Sequence, residues 1–205
     1  EITLSGANTF AGATNITGGT VKVTNTAALG ANSNVSLSNK ADTKLDLGAS
    51  LSDLTIKTLN GGGRLGGDLV IGSGTNLILG EVNDSSFHGV ISGDGSLKKV
   101  GSTTTLALTG KNTFTGGTTV DAGTVTLHTS TALGTGNVSM ANGTTMRLGH
   151  GVNVANSLDL TGDVSFGFAQ DLLVEYLVVG GGGGGGAAQW AYSAGGGGGG
   201  QVVSG

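Results

Sequence analysis

The chain has 205 residues, a formal net charge of −4 and 11% charged residues, so it is long enough for one or two domains with a sizeable core. Its nine lysine and arginine residues are scattered and form no basic stripe, which argues against nucleic-acid binding. Cysteine is absent, and this excludes disulfides, zinc–thiolate sites and thiol catalysis. Proline is also absent, as expected where nearly every backbone N–H joins a β-ladder.

The chain repeats part of its own sequence. The second ladder, Leu108–Leu148, is similar to the first ladder, Leu4–Leu47, which begins 104 residues earlier. Short runs in both, such as Thr20–Thr24 and Thr124–His128, alternate apolar and polar residues and end at Gly, Asn or Asp. Alternation indicates strands with Val, Leu and Met inside, and no segment has the sustained 3.6-residue period of a helix. Repeated short strands predict a solenoid.

Three all-β architectures are compatible with such strands: a sandwich, a barrel and a parallel β-helix. The repetition favours the β-helix, because each coil can stack on the next. Between the ladders, strands are predicted at Leu54–Ile56, Leu69–Ile71, Leu77–Leu79, Gly89–Ile91 and Leu106–Leu108, and the last coils at Val152–Phe168.

Two sets of side chains have predicted structural roles in this β-helix. Phe10 and Phe114 occupy equivalent ladder positions, and we expect both rings to fill the interior. Asparagines at turns can stack their side-chain amides from coil to coil. The predicted amide ladders use Asn8, Asn15, Asn25 and Asn112.

The segment Phe87–Gly101 has the spacing F-x-G-x-I-x-G-x-G-x-L-x-K-x-G, and the second ladder follows it with LTGKNTFTGGTTV from Leu108. This pattern resembles the autotransporter-associated β-strand repeat. The resemblance implies a right-handed parallel β-helix in a bacterial passenger domain that is secreted or displayed on the cell surface. We therefore expect an extracellular or cell-surface location.

The composition changes after Ala169, which predicts a β-solenoid over residues 1–169 and a glycine-rich extension over residues 170–205. The ladders, taken as residues 4–48 and 108–149, are joined by connecting coils. Val174–Gly180 and the glycine runs after it resemble glycine-rich domains of phage tail fibres and bacterial surface proteins. That resemblance implies polyproline-II-like glycine strands packed side by side. The alternative is a flexible linker.

No catalytic or metal-binding constellation is visible. The carboxylates are dispersed, and the neighbours Asp42/Asp46 and Asp159/Asp163 are interpreted as solvated turn residues. The three histidines, His88, His128 and His150, are far apart, with His128 predicted to point outward. We expect no enzyme activity, metal or cofactor. We also expect no membrane span, since the longest apolar run, Leu172–Val179, is interrupted by Glu175 and too short for a spanning helix.

The leading hypothesis is an extracellular structural protein, a surface or fibre subunit that self-assembles through its solenoid ends and glycine-rich tail. A strand begins at Ile2 without a preceding capping helix, and unpaired strand edges recruit further strands. The candidate contact residues are Ile2, Leu4, Tyr176, Trp190, Tyr192, Val202 and Val203. The first alternative is an adhesin or phage-type fibre segment that binds a glycan or a host surface. The second is a polysaccharide-acting β-helix enzyme.

Overall fold

A computed structural model describes residues 1–30 and 33–169 and, further on, the two short strands Leu177–Val179 and Val202–Ser204. The chain divides into two compact units, Glu1–Gln170 and Asp171–Gly205. In the first unit, the described residues form strands and turns and contain no helix.

The strands of the first unit are short, at two to five residues each. In chain order they are β1 Ile2–Leu4, β2 Thr14–Ile16, β3 Thr20–Val23, β4 Asn34–Leu37, β5 Lys44–Leu47, β6 Ser52–Ile56, β7 Thr58–Gly61, β8 Asp68–Ile71, β9 Thr75–Leu79, β10 Ser85–Phe87, β11 Ile91–Ser92, β12 Ser96–Lys99, β13 Thr105–Leu108, β14 Thr118–Val120, β15 Thr124–Leu127, β16 Val138–Met140, β17 Thr145–Leu148, β18 Leu158–Leu160 and β19 Ser165–Phe168.

These strands form three parallel sheets, which are the faces of a solenoid. Sheet A has the order β1-β3-β5-β8-β11, sheet B the order β2-β4-β7-β10-β13-β15-β17-β19, and sheet C the order β6-β9-β12-β14-β16-β18. Each strand pairs in parallel with the strand one coil later; Thr105 pairs with Thr124 and Asn60 with Ser86, so these coils take 19 and 26 residues. The predicted parallel β-solenoid is confirmed, while its right-handed sense stays a prediction.

The core consists of aliphatic columns that run through successive coils. Leu54, Leu77 and Leu97 lie in register on neighbouring strands of sheet C, and none has exposed surface. Within β9, Leu77 and Leu79 point inward while Asn76 and Ile78 are half-buried on the outer side. Each such leucine contributes about 1.5–3 kcal/mol through burial. The period-two pattern of the sequence thus specifies which side of the buried strands faces the core.

The predicted strands agree with the structure to within two residues at either end, but Gly89–Ile91 shares only Ile91 with the strand found there. The strand β11 begins only at Ile91, because Gly89 and Val90 form the preceding corner. A Cβ on Gly89 would overlap the carbonyl oxygen of Gly67 in the previous coil. The apolar sequence pattern therefore extends into a corner. The backbones of two coils are in close contact there, so Gly89 and Val90 are not part of the strand.

The two phenylalanines that were predicted to fill the interior differ in burial. Phe114 is fully buried, which confirms its predicted role. The prediction for Phe10 is wrong, because this side chain is 42% exposed. Phe10 lies in the first described coil, so described coils cover it from one direction only. An equivalent sequence position therefore does not guarantee equivalent burial.

The predicted asparagine ladders are also wrong in their bonding. Asn8, Asn25 and Asn112 donate to backbone carbonyl oxygens of a neighbouring coil, at Ala28, Ser5 and Ala132 respectively, rather than to one another. Asn15 lies within β2, not in a turn. The amides therefore satisfy backbone groups at corners, where strand pairing is interrupted.

The two ladders occupy different faces of the solenoid. In the first ladder β3 and β5 belong to sheet A, whereas their equivalents β15 and β17 in the second ladder belong to sheet B. Likewise β4 is in sheet B, but its equivalent β16 is in sheet C. The 104-residue repeat is therefore not a whole number of coils, and equivalent residues do not stack on one another.

The second unit contains two described strands, β20 Leu177–Val179 and β21 Val202–Ser204, which pair antiparallel with Val178 opposite Val203. The predicted glycine strands lie outside the described residues, as do Tyr176, Trp190 and Tyr192. In the part of the chain that the structure describes, no helix is long and apolar enough to cross a membrane.

Candidate functional site

The outer face of sheet C carries a polar ladder. The Asn76 amide donates to Asp53 at 2.9 Å, and the Ser96 hydroxyl donates to Asn76 at 3.0 Å. Beside it, the Lys98 ammonium lies 2.6 Å from the Asp121 carboxylate, and this hydrogen bond, with the charge of Asp121, raises the pKa of Lys98. These groups pair with each other from coil to coil, so this face fixes register rather than presenting a reactive group.

A buried cation that the sequence analysis did not assign lies at the corner between sheets C and B. Lys99 has no exposed surface, and its Nζ donates to the Gly101 and Ala122 carbonyls at 2.9 and 3.2 Å and to the Thr104 hydroxyl at 2.8 Å. The Val100 carbonyl also lies within hydrogen-bonding distance of Nζ, so the three ammonium protons are shared among four acceptors. Burial lowers the pKa of Lys99 to about 8, so the side chain remains mainly protonated at neutral pH. Lys99 therefore ties successive coils together.

Asn112 has a comparable structural role at another corner. Its side chain is buried, with Oδ1 accepting from Ile91 N–H at 2.8 Å and Nδ2 donating to the Ala132 carbonyl at 2.6 Å. One amide thus joins three successive coils. Asn8 donates to Ala28 in the same way, at 2.7 Å, in the first ladder.

Both end coils of the described solenoid present apolar side chains to solvent. At the first coil, Ile2 is 63% exposed and Leu4 is half-buried. At the other end the exposed apolar residues are Leu158, Leu160, Phe166 and Phe168. Of the predicted contact residues, Ile2 and Leu4 therefore lie on an end coil, and Val202 and Val203 lie in β21.

The acidic and histidine residues form no metal cluster among the described residues. Asp46 and Asp159 lie within β5 and β18, so their interpretation as turn residues is wrong. His128 is exposed, as predicted. His88 is exposed and bonded through its ring nitrogens to the hydroxyls of Thr109, at 2.8 Å, and Ser86, at 3.2 Å.

A cleft of about 590 Å³, termed the corner cleft, runs along the corner between sheets B and A. Four successive turns of the chain line it: residues 63–68, 88–90, 109–111 and Thr129. A small hairpin closed by the Gly63–Gly66 bridge forms one wall. Asn39 holds this hairpin by accepting a hydrogen bond from Leu65 N–H at 2.9 Å. The sequence did not indicate this cleft, because the residues that line it are far apart along the chain.

These observations define a parallel β-solenoid in which most of the polar side chains described above form hydrogen bonds within the protein. Two segments, residues 2–23 and 99–127, match the family model of the passenger-associated-transport-repeat. Over 123 residues, 60% of this chain, the sequence is 35% identical to the adhesin BmaC autotransporter of Brucella suis biovar 1 (strain 1330). The predicted resemblance to autotransporter repeats is thus confirmed, and the resemblance of the glycine-rich tail to fibre proteins stays a prediction.

The chain spans only 4% of the length of that adhesin, so the similarity concerns a segment of a much larger protein. No solved structure matches the chain.

Proposed function

We propose that this chain is a segment of an adhesin-like autotransporter passenger that acts outside the bacterial cell. The observation that carries the proposal is the coincidence of passenger-type repeats with a continuous parallel β-solenoid. In this function the solenoid is a rigid scaffold that holds contact surfaces in fixed positions. The similarity to an adhesin and the dispersed carboxylates support a non-enzymatic role.

A display experiment tests this proposal. The full chain is exported by a laboratory bacterium as the passenger of an unrelated autotransporter transport unit, and attachment of these cells to cultured host cells is counted. A composition-matched passenger of equal length and a different fold is the control. We expect protease-accessible chain on the cell surface and increased attachment. Attachment equal to that of the control, with the chain verified on the surface, would contradict the adhesin function.

A second candidate function is self-assembly, with copies stacking end to end. The exposed side chains of Phe166 and Phe168 support it, because a strand of another copy that paired with β19 would bury them. Under this proposal the glycine-rich extension, residues 170–205, contributes further contacts through Tyr176, Trp190 and Tyr192.

Sedimentation velocity over a hundredfold concentration range tests the self-assembly. We expect higher-order species, and we expect them to disappear in the double variant Phe166→Ser/Phe168→Ser. The matched control is Val82→Ser, which alters an apolar side chain that is 53% exposed away from the end coils. A chain that remains monomeric throughout the range would exclude this second function.

A further inference from the structure

We propose that the corner cleft binds an anionic saccharide through a carboxylate or sulfate group. Arg64 on the hairpin and Lys111 on the turn two coils later line the cleft, and both side chains are exposed. Among the described residues, neither forms an ion pair. This inference rests on the adhesin-like function proposed above and gives it a specific site and ligand class.

The charge of the corner cleft is opposite in sign to that of the whole chain. The chain carries 13 acidic and 9 basic residues, yet the ionised side chains lining the cleft are Arg64, Lys111 and a single carboxylate, Asp68. Asp68 is half-buried, and one of its oxygens accepts from Val90 N–H at 2.9 Å. The remaining charge is positive, and guanidinium and ammonium groups bind carboxylate and sulfate oxygens through charge-assisted hydrogen bonds.

The neutral lining suits a sugar ring. Thr129 donates its hydroxyl proton to the Gly110 carbonyl at 2.8 Å, which leaves its oxygen to accept from a sugar hydroxyl. The His88–Thr109 pair adds a second polar group whose position is fixed by a 2.8 Å bond. Leu65 at the hairpin tip is 70% exposed and offers an apolar contact for the C–H face of a ring. A volume of about 590 Å³ lies within the range of small-ligand sites.

The shape of the cleft is built into the backbone. At this corner Gly67, Gly89 and Gly110 stack in successive coils, and a Cβ on Gly89 or Gly110 would overlap the glycine carbonyl of the coil before it. The corner is consequently flat, and the hairpin at residues 63–66 rises beside it. Arg64 and Lys111, which come from two separate coils, therefore lie beside an opening that side chains at these glycine positions would narrow.

Two other ligand classes fit the cleft less well. An extended peptide would bind by adding to a free sheet edge. The sheet B strands beside the cleft are paired on both sides, and the outer edge of β11, the last strand of sheet A, is occupied by the next coil, where Thr113 N–H donates to the Ile91 carbonyl at 2.8 Å. A nucleic acid requires many phosphate contacts, and two cations in a chain of net charge −4 do not supply them. A short acidic saccharide needs only one anionic group in the cleft.

Calorimetric titration of the purified full chain tests the site. The probes are a trigalacturonate and 3′-sialyllactose, which carry carboxylates, a chondroitin sulfate disaccharide, which also carries a sulfate, and neutral lactose. We expect an acidic probe to bind, lactose to bind at least about tenfold more weakly, and the double variant Arg64→Gln/Lys111→Gln to weaken acidic binding by about tenfold or more. The carboxylate and sulfate probes show which anionic group the cleft selects.

The matched control is the double variant Arg147→Gln/Lys22→Gln, which removes the same charge from the strands β17 and β3, away from the cleft. It should bind as the unmodified chain does. Absence of binding by every acidic probe, or equal weakening by both double variants, would overturn the site. If displayed chain still promotes attachment while the cleft binds nothing, the inference fails and the adhesin function stands. If the chain binds an acidic saccharide but cells that display it do not attach, the saccharide site stands and the adhesin function fails.

Discussion

At the scale of single residues, the solenoid depends on polar side chains that satisfy backbone groups at its corners. Strand pairing stops where the chain turns, so corner N–H and C=O groups need other partners. Asn112 and Lys99 provide them from inside the fold, where competition from water is absent. Their contribution should therefore exceed that of the exposed ion pair between Lys98 and Asp121, since exposed pairs contribute little.

Replacing Asn112 with alanine should destabilise the fold by about 2 kcal/mol or more, because Ile91 N–H and the Ala132 carbonyl both lose a buried partner. Asn8→Ala is the matched variant in the first ladder. It removes the single bond to Ala28 from a half-buried position and should cost about 1 kcal/mol. Urea unfolding measures both. Equal effects of the two substitutions would contradict the proposal that the Asn112 amide stabilises the fold by joining three successive coils.

The buried Lys99 should make stability depend on pH. Burial lowers its folded-state pKa from 10.5 to about 8, so between these values the unfolded chain holds a proton that the folded chain has released. Stability therefore rises with pH across this window, and this contribution is lost as pH falls through about 8. We expect the free energy of unfolding of the unmodified chain to increase relative to Lys99→Met between pH 8 and pH 10.5.

Urea unfolding at a series of pH values measures this difference. The partly exposed neighbour Lys98 supplies the control, because Lys98→Met should leave the profile near pH 8 unchanged. A constant difference between Lys99→Met and the unmodified chain would show that the amine titrates as it does in the unfolded state.

At the scale of elements, the corners are specified by glycine as much as the strands are by aliphatic residues. Gly110 approaches the backbone of Gly89 so closely that a methyl group would overlap the carbonyl oxygen of Gly89. Neither residue requires a left-handed backbone conformation, so the requirement for glycine is one of space. The coil spacing of the three sheets fixes that space, since parallel strands lie about 4.8 Å apart.

Gly110→Ala should destabilise the solenoid by about 1–3 kcal/mol, because the corner must separate to admit the Cβ. Gly6→Ala is the control: it lies in a turn with no atom near its Cβ position, and its effect should stay within about 0.5 kcal/mol. Thermal unfolding followed by circular dichroism measures both. A Gly110→Ala protein as stable as Gly6→Ala would mean that the corner is looser than described.

At the scale of the whole molecule, stability should vary along the solenoid, because each coil contacts only its neighbours. The core residues from Leu54 to Met140 are at most 1% exposed, whereas Leu158, Leu160 and Phe166 in the last described coils are 38–52% exposed. Hydrogen exchange read by mass spectrometry should therefore find maximal protection in β6–β16 and lower protection in β1 and in β18–β19. Uniform protection from β1 to β19 would contradict this gradient.

Much of the fold was predictable from particular residues. The alternation in Thr20–Val23 and Thr124–Leu127 fixed these strands and their inward side chains, because the side-chain period of a strand is two. The spacing of Phe87–Gly101 and of the second ladder after it indicated passenger-type repeats, and the family match covers residues 99–127 of this stretch. The surface of the corner cleft was not predictable, because Arg64 and Lys111 are distant in sequence and meet only where coils of unequal length stack.

The amino-acid sequence by itself determined the class of fold, the strand positions and the inward face of each strand, since these depend on local alternation. It could not determine which face of the solenoid each strand occupies, because every face accepts the same alternating pattern. Only the tertiary structure decided that the second ladder is turned by one face relative to the first. The same stacking decided that Lys99 is buried, that Phe10 is exposed while Phe114 is not, and that two cations flank one cleft. Coil lengths set these outcomes, and they become visible only when all coils are stacked.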